Sequence, residues 1–306
     1  MVERLQAERD RTVIPFVTSL PTSGSDQAGD PQGSRPSPLA ELLRTYSYAY
    51  TAAHDFSVSD RIMIDDYVLL MGDHLIRGRK EEYQPATQRQ YDQFPALGFT
   101  VHRLVSNGER ASLHFTEHGR SRLTGGLAAW QGVSLYRWDG ERLTECRVEQ
   151  DYHSRRMQLA AGVPVPVLPP AADPWSGGDT PADPRTRSWV STWLESNAWL
   201  ADPGPARDDG SAPPRFAEPS TEILDLFSAG TEAAFHIRLS GTYAGGLPGT
   251  GELAGRPASL YVAGIVDTTH VADHRQASAA GQGADSSLAG VLISDRHSML
   301  RRLRAG

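Results

Sequence analysis

The sequence predicts an α+β protein built from two related units in tandem. Three observations carry this reading. Amphipathic helix patterns come first and strand patterns follow, without the strand–helix alternation of a parallel sheet. The strand patterns are joined by Asn107-Gly108 and Asp139-Gly140, both hairpin signals. A segment of the first half then returns in the second half at constant spacing.

The elements follow in order. Pro38 can start a helix, and Leu39, Leu42, Leu43, Tyr46, Tyr50 and Ala53 share one face, so a helix is expected from there to His54-Asp55. A strand is expected at Tyr67–Met71, closed by a turn at Gly72-Asp73. A second helix, Lys80 to Phe94, is stopped by Pro95, because proline lacks the N–H that a helix interior uses. Strands are then expected at Phe99–Val105, Ala111–Thr116, Val133–Trp138 and Leu143–Asp151, with a tail helix at Ser154–Leu159. In the second half, Trp189 and Trp193 stand one helical turn apart and should fill a core or an interface.

The repeat is legible letter by letter. Ser106–Gly119 and Ser228–Gly241 share Ser, Gly, Ala, His and Gly at one offset of 122 residues, and Asp151–Leu159 resembles Asp295–Leu303. Between these, Gly125-Gly126-Leu127 matches Gly245-Gly246-Leu247, and Ser134-Leu135-Tyr136 matches Ser259-Leu260-Tyr261. The expected organisation is a largely disordered extension at 1–38, a first unit at 39–160, a Pro-rich connector at 161–184 and a second unit at 185–306. The second unit is read as truncated, without the first strand pair and middle helix and with a poorer pocket. It also carries polar inserts at Asp202–Pro219 and Gln276–Ser287.

Composition narrows the partners. The chain has 306 residues and a net charge of −7, so it lacks the basic stripe of a nucleic-acid binder. No run of 18 or more apolar residues suggests a membrane helix, and the opening MVERLQAERDR is charged where a secretory signal is apolar. A cytoplasmic protein with no nucleic-acid or membrane partner is expected. Cys146 is the single cysteine, which excludes an internal disulfide and any cysteine-based zinc site. His and carboxylates occur without paired ligand spacing, so no metal and no cofactor are expected. Every basic residue except Lys80 is arginine, in keeping with a GC-rich bacterial source.

Three motifs resemble the SnoaL-like polyketide cyclases of the nuclear transport factor 2-like superfamily, which includes ketosteroid isomerase. They are Y-x-x-x-Y-T-A-A-H-D at Tyr46–Asp55 followed by Asp65-Asp66, Gly78-Arg79 before the second helix, and Trp130–Glu145 running on to Asp151 and Gln158-Leu159. The resemblance implies two tandem cone-shaped, cystatin-like α+β barrels, the second degenerate. In each, a curved antiparallel sheet wraps helices around an apolar pocket. It also implies pairing through the sheets, so that the two copies would form an internal pseudo-dimer, with a further homodimer open.

The same resemblance makes Asp151 the acid/base of a cyclase. Alternation puts Glu145, Arg147, Glu149 and Asp151 on one face of the last strand, where Arg147 would hold a developing oxyanion. The competing reading is that Asp151 caps the tail helix. His114 lies mid-strand and points either into a polar pocket or into solvent; Asp73 and His74 follow the first strand as a second polar pair. Tyr46, Tyr50, Glu149 and Trp138 are expected to line the pocket. The ketosteroid isomerase pattern is not kept, since Met71 and Ser47 stand at its catalytic aspartate and tyrosine positions.

The expectation is therefore a cofactor-independent cyclase, isomerase or lyase of specialised metabolism. It would use a carboxylate on an apolar, polyketide-like carbonyl compound. The alternatives are a non-catalytic binding or scaffold protein of the same fold, and an epoxide hydrolase or ether cyclase. Fold alone does not choose among them.

Overall fold

The computed structural model describes residues 37–269 and 288–305. The expected extension before residue 37 and the expected insert Gln276–Ser287 lie outside the described residues.

The chain opens with α1 (Pro38–Thr45). The Ser37 side chain accepts from Ala40 N at 3.3 Å, and Pro38 occupies the first turn, where its missing N–H costs nothing. The helix continues as a wider π-helical stretch, Tyr46–Ala52, which buries Tyr46 and Tyr50 together. After a short α2 (Ser59–Ile62) come β1 (Met63–Met71) and a four-residue return strand, β2 (His74–Arg77), which the sequence did not suggest. The hairpin between them needs φ +60° at Gly72, a conformation open to glycine. A π-helical turn, Arg79–Tyr83, leads into α3 (Gln84–Gln93). Next come β3 (Gly98–Ser106), β4 (Arg110–Arg120), β5 (Leu127–Trp138), β6 (Leu143–Gln150) and α4 (Tyr152–Ala161).

These strands form one six-stranded sheet in the order β2-β1-β6-β5-β4-β3, antiparallel except where β1 runs parallel to β6. The second half supplies α5 (Pro184–Glu195), β7 (Ala206–Arg207), β8 (Phe216–Ala229), β9 (Glu232–Tyr243), β10 (Pro257–Asp267), β11 (Ala289–Ser294) and α6 (Arg296–Ala305). Its sheet runs β7-β11-β10-β9-β8, and the two-residue β7 is parallel to β11 as β1 is to β6. A short strand parallel to its neighbour therefore lies inside the polar Asp202–Pro219 stretch. No middle helix separates it from β8.

Hydrogen bonding sets the correspondence between the halves. Asp151 N donates to Gln131 O and Asp295 N to Tyr261 O, each at 2.9 Å, while Gln131 pairs with Thr116 and Tyr261 with Arg238. Tyr261 thus occupies the place of Gln131. The letter match of Ser134-Leu135-Tyr136 with Ser259-Leu260-Tyr261 is out of register, because side chains on those strands can drift while the ladder cannot.

Strand alternation divides the buried residues into layers. In the first sheet Leu113, Phe115, Tyr136, Cys146 and Val148 face the helices and form one core. In the second, Phe235, Ile237, Leu260, Val262 and Leu292 do the same with Trp193 and Trp199. The opposite faces meet in a third apolar layer, where Val105, Val133 and Leu135 pack on Phe227, Ala234, Ala263, Ile265 and Ile293. Both sheets lie within one compact unit, Ser34–Gly306. The Pro-rich connector is laid along β3: Ala171 N donates to Val101 O (2.9 Å), Thr180 N to Ser106 O (3.0 Å), and Trp175 is buried in the first core. Its prolines suit a segment that covers a sheet edge without extending the ladder.

Candidate functional site

The first core encloses a cavity of about 200 Å³. Tyr46 and Tyr50 reach it from the π-helical stretch, Ala86, Thr87 and Gln90 from α3, and Met71 and His74 from the β1–β2 hairpin. The sheet contributes Phe115, Glu117, Tyr136, Cys146, Val148 and Gln150. His74 is exposed, so the cavity opens to solvent at the hairpin.

Its walls are mostly apolar or phenolic, with a few polar side chains among them. Tyr46 Oη and Tyr83 Oη lie 3.2 Å apart, and Tyr50 Oη donates to Thr87 Oγ1 at 3.3 Å. Burial raises the Tyr46, Tyr83 and Tyr136 pKa values well above the usual phenol range and pushes Tyr50 up to about 12. Burial likewise moves Cys146 to about 12. These groups remain protonated near neutrality and act as hydrogen-bond donors, not as bases.

Glu117 is the one acidic residue lining the cavity among the described residues. It extends from β4 opposite Trp130 of β5 and is 5% exposed. Burial pushes its carboxyl up to about 7; the Gln90 amide, the Arg155 guanidinium and Trp130 pull in the opposite direction. Gln90 Nε2 donates to Glu117 Oε2, and Trp130 Nε1 donates to Gln150 Oε1 at 2.8 Å. A carboxyl with this pKa can take or give a proton near neutral pH without any change of environment. The strand expected at Ala111–Thr116 extends in the structure to Arg120 and so includes Glu117. The available signal was phase: Ala111, Leu113, Phe115 and Glu117 alternate on one face, and a carboxylate on an apolar register needs a reason.

Of the nine expected site residues, the structure brings Tyr46, Tyr50 and His74 to the cavity, together with Met71. The other six lie elsewhere. Cys146, Val148 and Gln150 take the cavity face of β6, so Glu145, Arg147 and Glu149 must face the second sheet. Arg147 Nε donates to Glu145 Oε1 at 2.8 Å, within a charged group around the buried Asp225. Glu149 Oε1 accepts from Gly72 N at 2.8 Å and lies 2.7 Å from His236 Nε2. Asp151 caps α4 by accepting from Ser154 N at 3.0 Å, and both its oxygens receive Arg296 Nη2 at 2.7 Å. Burial raises its pKa and the Arg296 guanidinium opposes that rise. His114 is turned from the cone by the same alternation and is 8% exposed, on the side of the sheet that faces the second half. Asp73 is exposed and pairs with Arg302 at 2.9 Å. Trp138 donates from Nε1 to Gly108 O at 3.0 Å at the margin of the core. Ser47 is buried, and its hydroxyl has no hydrogen-bond partner among the described residues.

The second half, expected to have the poorer pocket, also encloses space. About 290 Å³ is bounded by Trp199, Leu239, Leu260, Val262 and Leu292, with Arg207 and Asp208. Without a middle helix, fewer side chains project onto this sheet. Among the described residues, no group of three or more His, Cys, Asp or Glu is placed to hold a metal ion. No described helix is long and apolar enough to cross a membrane.

The fold is thus a mixed α+β architecture of curved, mostly antiparallel sheets covered by helices, with a largely apolar cavity in the first half. Residues 43–146 match the family model described as a SnoaL-like domain. Among solved structures, a proposed SnoaL-like polyketide cyclase from Jannaschia sp. CCS1 is similar at 15% identity and TM-score 0.38, over 44% of this chain and 96% of that one. An LEH-like epoxide hydrolase of M. tuberculosis is similar at 18% identity and TM-score 0.35, over 42% and 92%. IdmH, a proposed polyketide cyclase from Streptomyces antibioticus, is similar at 20% identity and TM-score 0.36, over 40% and 98%. No curated protein matches the chain.

Proposed function

We propose that the first half is a cofactor-independent cyclase, isomerase or lyase in which Glu117 is the general acid–base. One observation carries this reading: a single carboxyl, raised to about 7, sits in a cavity lined otherwise by apolar groups, neutral phenols and a few uncharged polar side chains (Thr51, Thr87, Gln90, Gln150), with His74 at its mouth. Such a carboxylate can remove a proton from a carbon beside a carbonyl and return it after bond reorganisation. Tyr50 spends its proton on Thr87, but the Tyr46–Tyr83 pair uses only one of its two phenol protons internally, and the other is suited to donate to the carbonyl oxygen as negative charge develops. The substrate is an apolar, polyketide-like carbonyl compound. About 200 Å³ is smaller than the ~300–1,000 Å³ of most small-molecule pockets, which favours a compact ring system.

The epoxide-opening alternative needs an Arg-bridged carboxylate pair. Arg147 with Glu149 or Asp151 lies between the sheets, outside the cavity, so the geometry favours proton transfer. The match of residues 43–146 to the SnoaL-like domain supports the same class. We also read the halves as duplicated copies, 39–160 and 185–306, whose sheet faces pair as an internal pseudo-dimer; the shared apolar layer supports this.

The test is deuterium exchange and turnover of a panel of compact β-dicarbonyl and polyketide-like compounds, with Glu117→Gln beside the native chain. Loss of exchange by about 10²–10⁴-fold with ligand binding retained is expected. Equal exchange in both proteins sinks the assignment.

A further inference from the structure

A larger space lies where the two halves meet, outside the cavity that holds Glu117. A crevice of about 650 Å³ runs between β4–β5 of the first sheet and the β7–β11 end of the second. Val165, Pro166 and Leu168 of the Pro-rich connector line it beside Trp130, Ala206 and Val291. The connector is held there by Val165 N donating to Gln158 Oε1 at 3.1 Å and by Pro169 O at 2.9 Å from His102 Nδ1.

The charged groups of the crevice are already engaged. Arg103 pairs with Glu232, and Arg207 donates to Trp199 O and Asp202 O. Asp151 is held by Arg296, Asp208 by Ser294, and Asp209 by Ser211 and Arg296. No lining cation is left to receive an anion among the described residues.

His114 is different. Asp208 O is a carbonyl and can only accept, so Gln131 must present its amide nitrogen to it (3.0 Å) and its Oε1 to His114 Nε2 (2.8 Å). The proton of His114 is therefore on Nε2. Burial holds its pKa down at about 4, so the ring is neutral and Nδ1 is an acceptor with no partner among the described residues. Ser154 Oγ accepts from Gln158 Nε2 at 2.8 Å, which leaves its own O–H to donate. The crevice thus offers one acceptor and one donor within largely apolar walls, the pattern of a small-molecule site.

We propose that this crevice is a second ligand site, taking a neutral, flat, apolar compound that presents a hydroxyl to His114 Nδ1. The site is distinct from the proton-transfer reading, since His114 and Gln131 lie on the opposite face of the sheet from Glu117; Trp130 borders it from the Glu117 side.

The probes are 2-naphthol and 2-methoxynaphthalene, which differ in the hydroxyl donor. With the full chain carrying ¹⁵N-histidine, 2-naphthol should move the His114 Nδ1 resonance away from the unbonded acceptor position, and 2-methoxynaphthalene should not. Folded His114→Phe should bind 2-naphthol about ten-fold more weakly. If that variant does not fold, the nitrogen resonance of the native chain decides alone. An unmoved His114 resonance at saturating 2-naphthol overturns the proposal, as does equal response to both probes. A 2-naphthol response that moves His74 instead places the probe in the first cavity and also overturns it.

Discussion

His236 Nε2 lies 2.7 Å from Glu149 Oε1, joining β9 of one sheet to β6 of the other, with the two side chains 1% and 0% exposed. The same carboxylate oxygen accepts from Gly72 N at 2.8 Å. Removing Glu149 leaves His236 buried and unpaired, and removing His236 leaves the buried Glu149 with Gly72 N alone. Glu149→Ala and His236→Ala are each expected to cost about 3–5 kcal/mol. The double variant should cost less than the sum. Urea unfolding of the four proteins in the cycle measures this, and strict additivity would show that the contact carries no coupling.

Asp295 sits beside this pair and is pushed up to about 7, chiefly by burial and then by Glu149. Its folded pKa is above its unfolded value, so its contribution is fully present below about 4 and is lost as pH rises through about 7. Asparagine keeps the oxygen that caps α6 through Ser298 N and removes the buried charge. Asp295→Asn should therefore melt higher than the native chain at pH 8.5, with the difference shrinking toward pH 5. Thermal unfolding at both pH values checks this; a variant that melts lower at pH 8.5 contradicts it.

If Glu117 acts first as a base, turnover should rise with pH through about 7, because only the ionised form can take the proton. Glu117→Asp keeps the carboxyl but draws it back by one methylene, so a reduced rate with a titrating limb is expected. A rate–pH profile flat between pH 5 and 9 for the native chain removes Glu117 from the proton-transfer step.

Residues 39–160 alone would expose Val105, Val133 and Leu135 together with Glu149 stripped of His236. That fragment should be poorly soluble or self-associated. Analytical ultracentrifugation at micromolar concentration tests it; a soluble monomer would mean that the first sheet does not depend on the second.

The fold was largely legible. Ser37-Pro38 starts the first helix, and the Asn107-Gly108 and Asp139-Gly140 hairpins form with φ +87° and +100° at their glycines. The β2 strand was not, since four residues at a sheet edge carry too little pattern. The site was harder to read. Alternation showed that Glu145, Arg147 and Glu149 share a face, but not which face lies inside. A polar face covered by a second sheet reads the same as a wet one. His114 failed for the same reason: Ser112 and Thr116 beside it gave the row a solvent-facing composition, while its partner Gln131, itself held by the Asp208 carbonyl, comes from another strand.

The two aspartates that begin the tail helices occupy matching backbone positions, yet Tyr152 follows one and Arg296 the other. Asp151 meets a guanidinium at 2.7 Å; Asp295 Oδ2 is buried with no hydrogen-bond partner among the described residues and has the Arg302 guanidinium 3.8 Å away. Two identical chains related by a twofold axis would repeat the same chemistry at both ends of their contact. Within a single chain that constraint is absent, so one carboxylate is held by a close ion pair while the other, pushed up to about 7 with Arg302 farther off, gains or loses a proton near neutral pH.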